Sequence, residues 1–292
     1  MHIDTVLAFA EYRAAAERLA AAVGCTCQLV DVHRFPDGES RLRLPARLSG
    51  TVAVCRSLFD PNAKLIELGL AAQGARRLGA ERTVLVAPYL CYMRQDAAFA
   101  PGEVVSQSIV GALLAQWFDG VVAVDPHLHR VARLEQAVPA RHTAALSAAP
   151  ALSAFVAALG EPVLIGPDAE SEQWVARIAR DCGCDYGVGR KLRRGDAEVE
   201  ITLPGIDLHG REVVLVDDIA STGGTLATAA RAARAAGAAA VHALITHALF
   251  AGDAEAGVRA AGVQHVWSTD SVPHPTNAVE LAPLLAEALA GL

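Results

Sequence analysis

The stretch Val213–Leu226, VVLVDDIASTGGTL, decides the fold class of this chain. An apolar strand runs into two acids, Asp217 and Asp218; a Ser/Thr/Gly turn follows and opens a helix. An unbroken apolar, β-branched run bounded in this way reads as a buried strand of a parallel sheet rather than as a half-exposed strand. The turn aims backbone N–H groups, the hydroxyls of Ser221, Thr222 and Thr225 and a helix N-terminal dipole at one point, where an anion such as phosphate fits. Gly223 and Gly224 belong to the same turn. Asp217 and Asp218 beside it suit sugar hydroxyls or a phosphate-bound Mg²⁺.

Outward from this unit the same grammar repeats. Ala-rich segments of helical period alternate with short runs rich in Val and Ile, the pattern of βαβ units. Buried strands are expected at Thr51–Cys55, Thr83–Ala87, Gly120–Val124, Pro162–Ile165, Glu212–Val216 and Val241–His247. Helices fit Asp4–Ala22, Asn62–Leu78, Val104–Gln116, Ser171–Cys182 and Thr225–Ala236. The fold class is α/β. A weak internal repeat aligns RRLGAERTVLVA, Arg76–Ala87, with RAAGAAAVHALI, Arg234–Ile245. In each, a helix stops at a glycine suited to a left-handed cap and a strand follows. Two related halves are therefore expected, residues 1–145 and 146–292, joined in the Ala/Pro/Ser-rich region near Arg141–Ala151.

At 292 residues, 53% hydrophobic and 20% charged, the chain has the balance of a folded protein of two ordinary domains. A net charge of −7 supplies no basic field for nucleic acid, although a small anionic substrate held by a few basic groups remains open. The uncharged run near Ala235–Gly252 is not a membrane span, because Gly237 splits it into a helix end and a strand. The N-terminus carries Asp4, Glu11 and Glu17 and lacks a signal-peptide layout, so a cytoplasmic protein is expected. Six cysteines, at 25, 27, 55, 91, 182 and 184, lack metal-site spacing and are expected as reduced thiols.

Four further segments carry chemistry. RFPDGESRLRL, Arg34–Leu44, places a Pro-Asp-Gly turn between two strand-like stretches. APYLCYMRQDAAFAPGEVVS, Ala87–Ser106, follows a strand end, where Arg94 and Gln95 offer donors that Asp96 can orient. VVAVDPHLHR, Val121–Arg130, ends a strand in Asp125 and His127, a carboxylate and an imidazole two positions apart that suit a metal-linked site. GRKLRRGDAEVEI, Gly189–Ile201, is basic and glycine-flanked and reads as a mobile loop whose cations close over developing charge.

Val213–Leu226 is similar to the phosphoribosyl-pyrophosphate loop shared by type I phosphoribosyltransferases and ribose-phosphate pyrophosphokinases. The four other segments, in the same order, resemble the ribose-phosphate pyrophosphokinases in their shorter archaeal-type form, and the similarity spans about Arg34 to Leu285. The resemblance implies two tandem phosphoribosyltransferase-like domains, each a mostly parallel sheet flanked by helices. It implies transfer of the diphosphate of Mg²⁺-ATP to ribose 5-phosphate, with Mg²⁺ as the metal. It assigns Phe35, Asp37, Glu39, Arg94, Gln95 and Asp96 to ATP, His127 and Asp168 to the metal, and Lys191 and Arg193 to transition-state charge. Asp217, Asp218, Ser221, Thr222, Gly223, Gly224 and Thr225 would hold ribose 5-phosphate. The Phe35 turn would reach a neighbouring subunit, which implies a homo-oligomer of at least two chains. Two departures stand out: Glu170 and Ser171 where a glycine-containing turn is usual, and Arg56 where many members carry glutamine. The rival readings are a phosphoribosyltransferase built on the same loop and a non-catalytic regulator built on the synthetase fold.

Overall fold

A computed structural model describes residues 1–194, 198–203 and 205–292, with side chains described outside positions 191–200. The chain forms two compact units. The first is Met1–Ser147 with Ser271–Pro273 and Leu281–Leu292, and the second is Ala148–Asp270 with His274–Glu280.

In chain order the first unit runs β1 Thr5–Ala8, α1 Arg13–Val23, β2 Thr26–Leu29, β3 Asp31–Arg34, β4 Ser40–Arg43, β5 Thr51–Cys55, α2 Pro61–Arg77, β6 Arg82–Ala87, α3 Ser106–Trp117, β7 Gly120–Val124, α4 Leu134–Ala137 and β8 His142–Leu146. The second runs α5 Ala149–Ala157, β9 Val163–Gly166, α6 Glu172–Cys182, β10 Tyr186–Val188, β11 Arg190–Arg194, β12 Glu198–Thr202, β13 Glu212–Ala220, α7 Gly224–Ala235, β14 Ala240–Ala248, α8 Ala254–Ala260, β15 His265–Thr269 and β16 Asn277–Val279. The last helix, α9 Ala282–Gly291, returns to the first unit and packs on α1.

Each unit is built on a six-stranded sheet, ordered β2-β1-β5-β6-β7-β8 and β10-β9-β13-β14-β15-β16. All the pairings within them are parallel. The two orders are the same once position in the half is counted, and each half inserts an antiparallel hairpin after its second strand: β3–β4 in one, β11–β12 in the other. The internal repeat falls on equivalent elements. α2 passes through Gly79 at φ 111° into β6, and α7 passes through Gly237 at φ 87° into β14. Both bends lie where a side chain is penalised and glycine is not.

Three expectations are corrected. The helix expected from Asp4 starts only after β1, because Val6, Leu7, Ala8 and Phe9 are all fully buried. Four consecutive buried residues fit a strand covered on both faces, whereas a surface helix hides one stripe. Within Gly189–Ile201, expected as a loop, the described residues pair as β11–β12, with Lys191 opposite Ile201 and Arg193 opposite Val199; residues 195–197 lie outside the described residues. β13 runs on to Ala220 instead of ending at Val216, held by its long pairing with β14.

Candidate active site

In the second unit the site forms where strand order reverses, between β9 and β13. β9 pairs with β13 only through Leu215, so beyond it the β9 side of β13 has no strand beside it among the described residues. Asp217 and Asp218 stand on that stretch, opposite the turn that follows β9. Crevices of this kind, beyond the carboxyl ends of parallel strands at a reversal of strand order, are where α/β sheets take ligands. Asp168 lies in the facing turn, where its carboxylate accepts from Glu170 N at 3.2 Å, and Ser171 Oγ donates back to the Asp168 carbonyl at 2.5 Å. The unusual Glu170-Ser171 pair thus builds a capped 3₁₀ turn that opens α6, with the Ser171 side chain buried and Glu170 at the surface.

Burial drives the Asp217 carboxyl well above the ordinary carboxylate range, and the charges of Asp218 and Asp168 push it further in the same direction. Three acids close enough to do this form a set of hard oxygen donors that a cation or sugar hydroxyls would relieve. Next to them α7 begins at Gly223 with no side-chain cap on its first amides. The leading N–H groups of a helix have no partner within the helix, so this 12-residue helix presents its N-terminal donors and dipole to the turn. Ser221 is held by the Ala251 amide, which donates to its carbonyl at 3.0 Å. Thr222 and Gly224 are exposed, Ser221 and Thr225 half-buried, and Gly223 buried. The structure therefore brings Asp168, Asp217, Asp218 and the residues of the 221–225 turn to one end of one sheet. The side chains of Lys191 and Arg193 lie outside the described residues; their strand follows β10 after a single residue, Gly189.

In the first unit, the loops after β6 and β7 carry the other candidates. Asp125, just past β7, is buried at φ 37°, and its amide donates to Leu146 O at 2.7 Å. The ring centroids of His127 and His129 lie 3.9 Å apart, with the rings tilted by 40°. After β6, Arg94 is exposed, while Gln95 spends its amide on the Ala97 carbonyl at 3.0 Å. Asp96 does not orient these two. It pairs with Arg130 at 3.5 Å, and Arg130 in turn lies over the Phe99 ring. Sequence reasoning missed Arg130, although it closes the same Asp-x-His segment. Four described non-glycine residues have positive φ: Asp60, Tyr92, Asp125 and Phe250. All four lie in loops that follow carboxyl ends of parallel strands.

The turn of the β3–β4 hairpin is well formed. Phe35 N donates to Glu39 O at 2.8 Å, Gly38 N to Phe35 O at 2.9 Å, and Asp37 accepts from Glu39 N at 3.2 Å. Phe35, Asp37 and Glu39 all face solvent. Arg56, the other departure, is buried at the end of β5, with its guanidinium 3.7 Å over the Phe9 ring and ion pairs of 2.7 Å to both Glu11 and Glu67. Near it, Lys64 Nζ donates to Ser57 O at 2.9 Å and lies over Phe59, and burial pulls its amine down to about 8.

Comparison with known proteins follows this geometry. The family model for the N-terminal domain of ribose phosphate pyrophosphokinase matches residues 5–117, and that for the phosphoribosyl transferase domain matches residues 143–281. A ribose-phosphate pyrophosphokinase of Methanopyrus kandleri is 38% identical, over 98% of this chain and 99% of its own. One from Methanothermobacter thermautotrophicus is 32% identical, over 89% and 90%. The crystal structure of phosphoribosylpyrophosphate synthetase from Mycobacterium smegmatis has a TM-score of 0.83 at 22% identity, over 99% of this chain and 98% of that one, and so has the same fold. Both halves are thus matched in order, and the identity extends over nearly the full length of each relative: the chain belongs to the ribose-phosphate pyrophosphokinase family.

Proposed function

We propose that this enzyme transfers the β,γ-diphosphate of ATP to the 1-hydroxyl of ribose 5-phosphate, giving phosphoribosyl pyrophosphate and AMP. The observation that carries the reading is the uncapped start of α7 beside Asp168, Asp217 and Asp218. Its amides, with the Ser221, Thr222 and Thr225 hydroxyls and the backbone of Gly223 and Gly224, receive the 5-phosphate. Asp217 and Asp218 accept from the ribose hydroxyls. On the first unit, Arg94, Gln95 and Asp96 hold the nucleotide, and the Phe35, Asp37 and Glu39 turn contacts adenine of a neighbouring copy in a homo-oligomer.

The donor set fits Mg²⁺, a hard cation that takes carboxylate oxygens and phosphates. Asp168 in the second unit and His127 in the first would each offer Mg²⁺ a ligand; when bound, such an ion would neutralise charge on phosphate oxygens. The rest falls to the chain's own groups. No strong base is required, because the phosphoryl transition state is loose and is served by positioning and cations. Lys191 and Arg193 supply that charge, and the hairpin that carries them excludes water. The place of action is the cytoplasm.

The test is ³¹P NMR of the protein with Mg²⁺, ATP and ribose 5-phosphate, beside a Lys191→Ala, Arg193→Ala variant. AMP and an anomeric diphosphate are expected from the parent protein and not from the variant. Absence of both from the parent protein, with ribose 5-phosphate still bound, overturns the reading.

A further inference from the structure

Among the described residues the β3–β4 hairpin pairs with no strand of the six-stranded sheet. Its own apolar contacts are modest, with Val32 and Leu42 only partly buried against the core. One buried carboxylate supplies what that packing does not. Glu67 sits on the inner side of α2 with its side chain 1% exposed. Ser40 Oγ donates to Glu67 Oε1 at 2.8 Å, and Arg34 Nη2 reaches the same oxygen at 3.4 Å. Arg34 and Ser40 are paired across the hairpin, immediately before and after the Phe35–Glu39 turn. A single oxygen on α2 therefore touches both ends of that turn.

The other oxygen, Oε2, faces Arg56 at 2.7 Å. A buried carboxylate needs such a counter-ion, since an unpaired charge inside a protein is strongly destabilising. Arg56 is itself fixed by Glu11 and the Phe9 ring. The chain of contacts thus runs from the sheet, through Arg56 and Glu67, to the two residues that flank the turn. Apolar packing alone is non-directional and would let a hairpin rock, whereas charge-assisted hydrogen bonds at both ends of a turn set its orientation.

We infer that Glu67 is a positioning residue for the nucleotide: it grips both ends of the Phe35–Glu39 turn and so sets where Phe35, Asp37 and Glu39 stand. The inference rests on the proposed contact of that turn with adenine. Glu67 itself touches no substrate; its effect passes through Ser40 and Arg34.

The experiment compares the full-length parent protein with Ser40→Ala, Glu67→Gln, Phe35→Ala and the Glu67→Gln, Phe35→Ala double variant. Steady-state kinetics in both substrates is read beside amide hydrogen exchange of residues 31–43. Glu67→Gln should raise KM for ATP about ten-fold, the loss of roughly one hydrogen bond to a charged group. KM for ribose 5-phosphate should stay within about two-fold, as should kcat, because uniform binding is what is lost. Exchange in the hairpin should quicken. Ser40→Ala should move KM for ATP and hairpin exchange the same way by less, and it carries the test if Glu67→Gln does not fold. In the Phe35→Ala background the Glu67 change should raise KM for ATP by less than it does alone, leaving only the share that passes through Asp37 and Glu39, which a general loss of stability would not mimic. If Phe35→Ala raises KM for ATP while Glu67→Gln and Ser40→Ala leave it and the hairpin exchange unchanged, the inference is overturned. If Phe35→Ala leaves KM for ATP unchanged, it is the adenine contact of the turn that fails, and the inference falls with it.

Discussion

Gly223 is the residue on which the 221–225 turn depends, and exchanging it for alanine measures how tightly the turn is built. The residue is buried, has φ 71° and begins α7. A Cβ there would stand 2.7 Å from Val258 Cγ2 and 3.1 Å from the carbonyl oxygen of Ala254, so both a fully buried side chain and the backbone at the start of α8 oppose it. The left-handed conformation costs a non-glycine residue roughly 1 kcal/mol. Overpacking adds about 1–3 kcal/mol, and the sum is roughly 2–4 kcal/mol. Gly224 is the internal control. It has no positive φ, and its Cβ would meet only Thr222 Oγ1 at 3.8 Å. Gly224→Ala should change stability by no more than about 1 kcal/mol, in the favourable direction that helix propensity gives. Hydrogen exchange of the β13 and α7 amides in increasing urea reports on the second unit alone and so avoids assuming that both units unfold together. Equal losses in the two variants, or no loss in Gly223→Ala, would refute the reasoning that α8 forces glycine at this position.

Two further expectations concern stability. In Gly111→Ala the new Cβ would run into the Ala137 carbonyl oxygen, with Val138 Cα only 3.2 Å away; neither can yield as a side-chain tip would, so a loss of about 3 kcal/mol is expected in the first unit by thermal unfolding. His242 is pulled below its ordinary value of 6.5 by burial, a shift that Glu212 at 2.8 Å only partly offsets. The unfolded chain then binds the proton more readily, so the contribution of His242 is fully present above pH 6.5 and is lost as pH falls from there towards the lower folded value. Urea unfolding between about pH 5 and 8 should show stability falling on the acid side, and His242→Gln should flatten that slope; an unchanged slope would count against the assignment.

Much of this was legible because parallel strands advertise themselves. Thr51–Cys55 and Val213–Val216 are unbroken buried runs, and such runs have few other uses in a chain of this length. β1 was hidden by its neighbour, since four residues of strand precede an Ala-rich helix whose period reads back through them. The second hairpin was hidden for another reason: its strands gain their pairing from each other and from Ile201 reaching the core, which no local pattern announces. Arg130 and Asp96 meet only because the loops after β6 and β7 rise from adjacent strands. Glu67 reads as one more acid on a helix, and only its 1% exposure reveals that it faces inward. Nor does the apolar sequence of α9 say which sheet it covers; its last turn accepts hydrogen bonds from the amine of Met1.

The repeat also lets equivalent places in the two halves be compared directly. Each sheet reverses its strand order at the same step, so each offers a crevice beyond its first strand and the strand after its hairpin. In the second unit that crevice is lined by Asp168 and Asp217, and α7 starts there on an uncapped glycine. In the first, the corresponding place carries a different set of side chains. Arg56 lies across the end of β5 against Phe9, Glu11 and Glu67, α2 starts at Asp60 with φ 45° where the other half has Gly223, and Lys64 donates into the turn at Ser57. Arg56 is thus neutralised by Glu11 and Glu67 within the first half, whereas the second half sets Asp217 beside two further acids. The first half's candidate residues sit one and two strands further along, after β6 and β7, where Tyr92 and Asp125 have positive φ as Asp60 has after β5. One fold thus carries two different side-chain sets at the same reversal of strand order, an internally paired arginine in one half and neighbouring acids in the other.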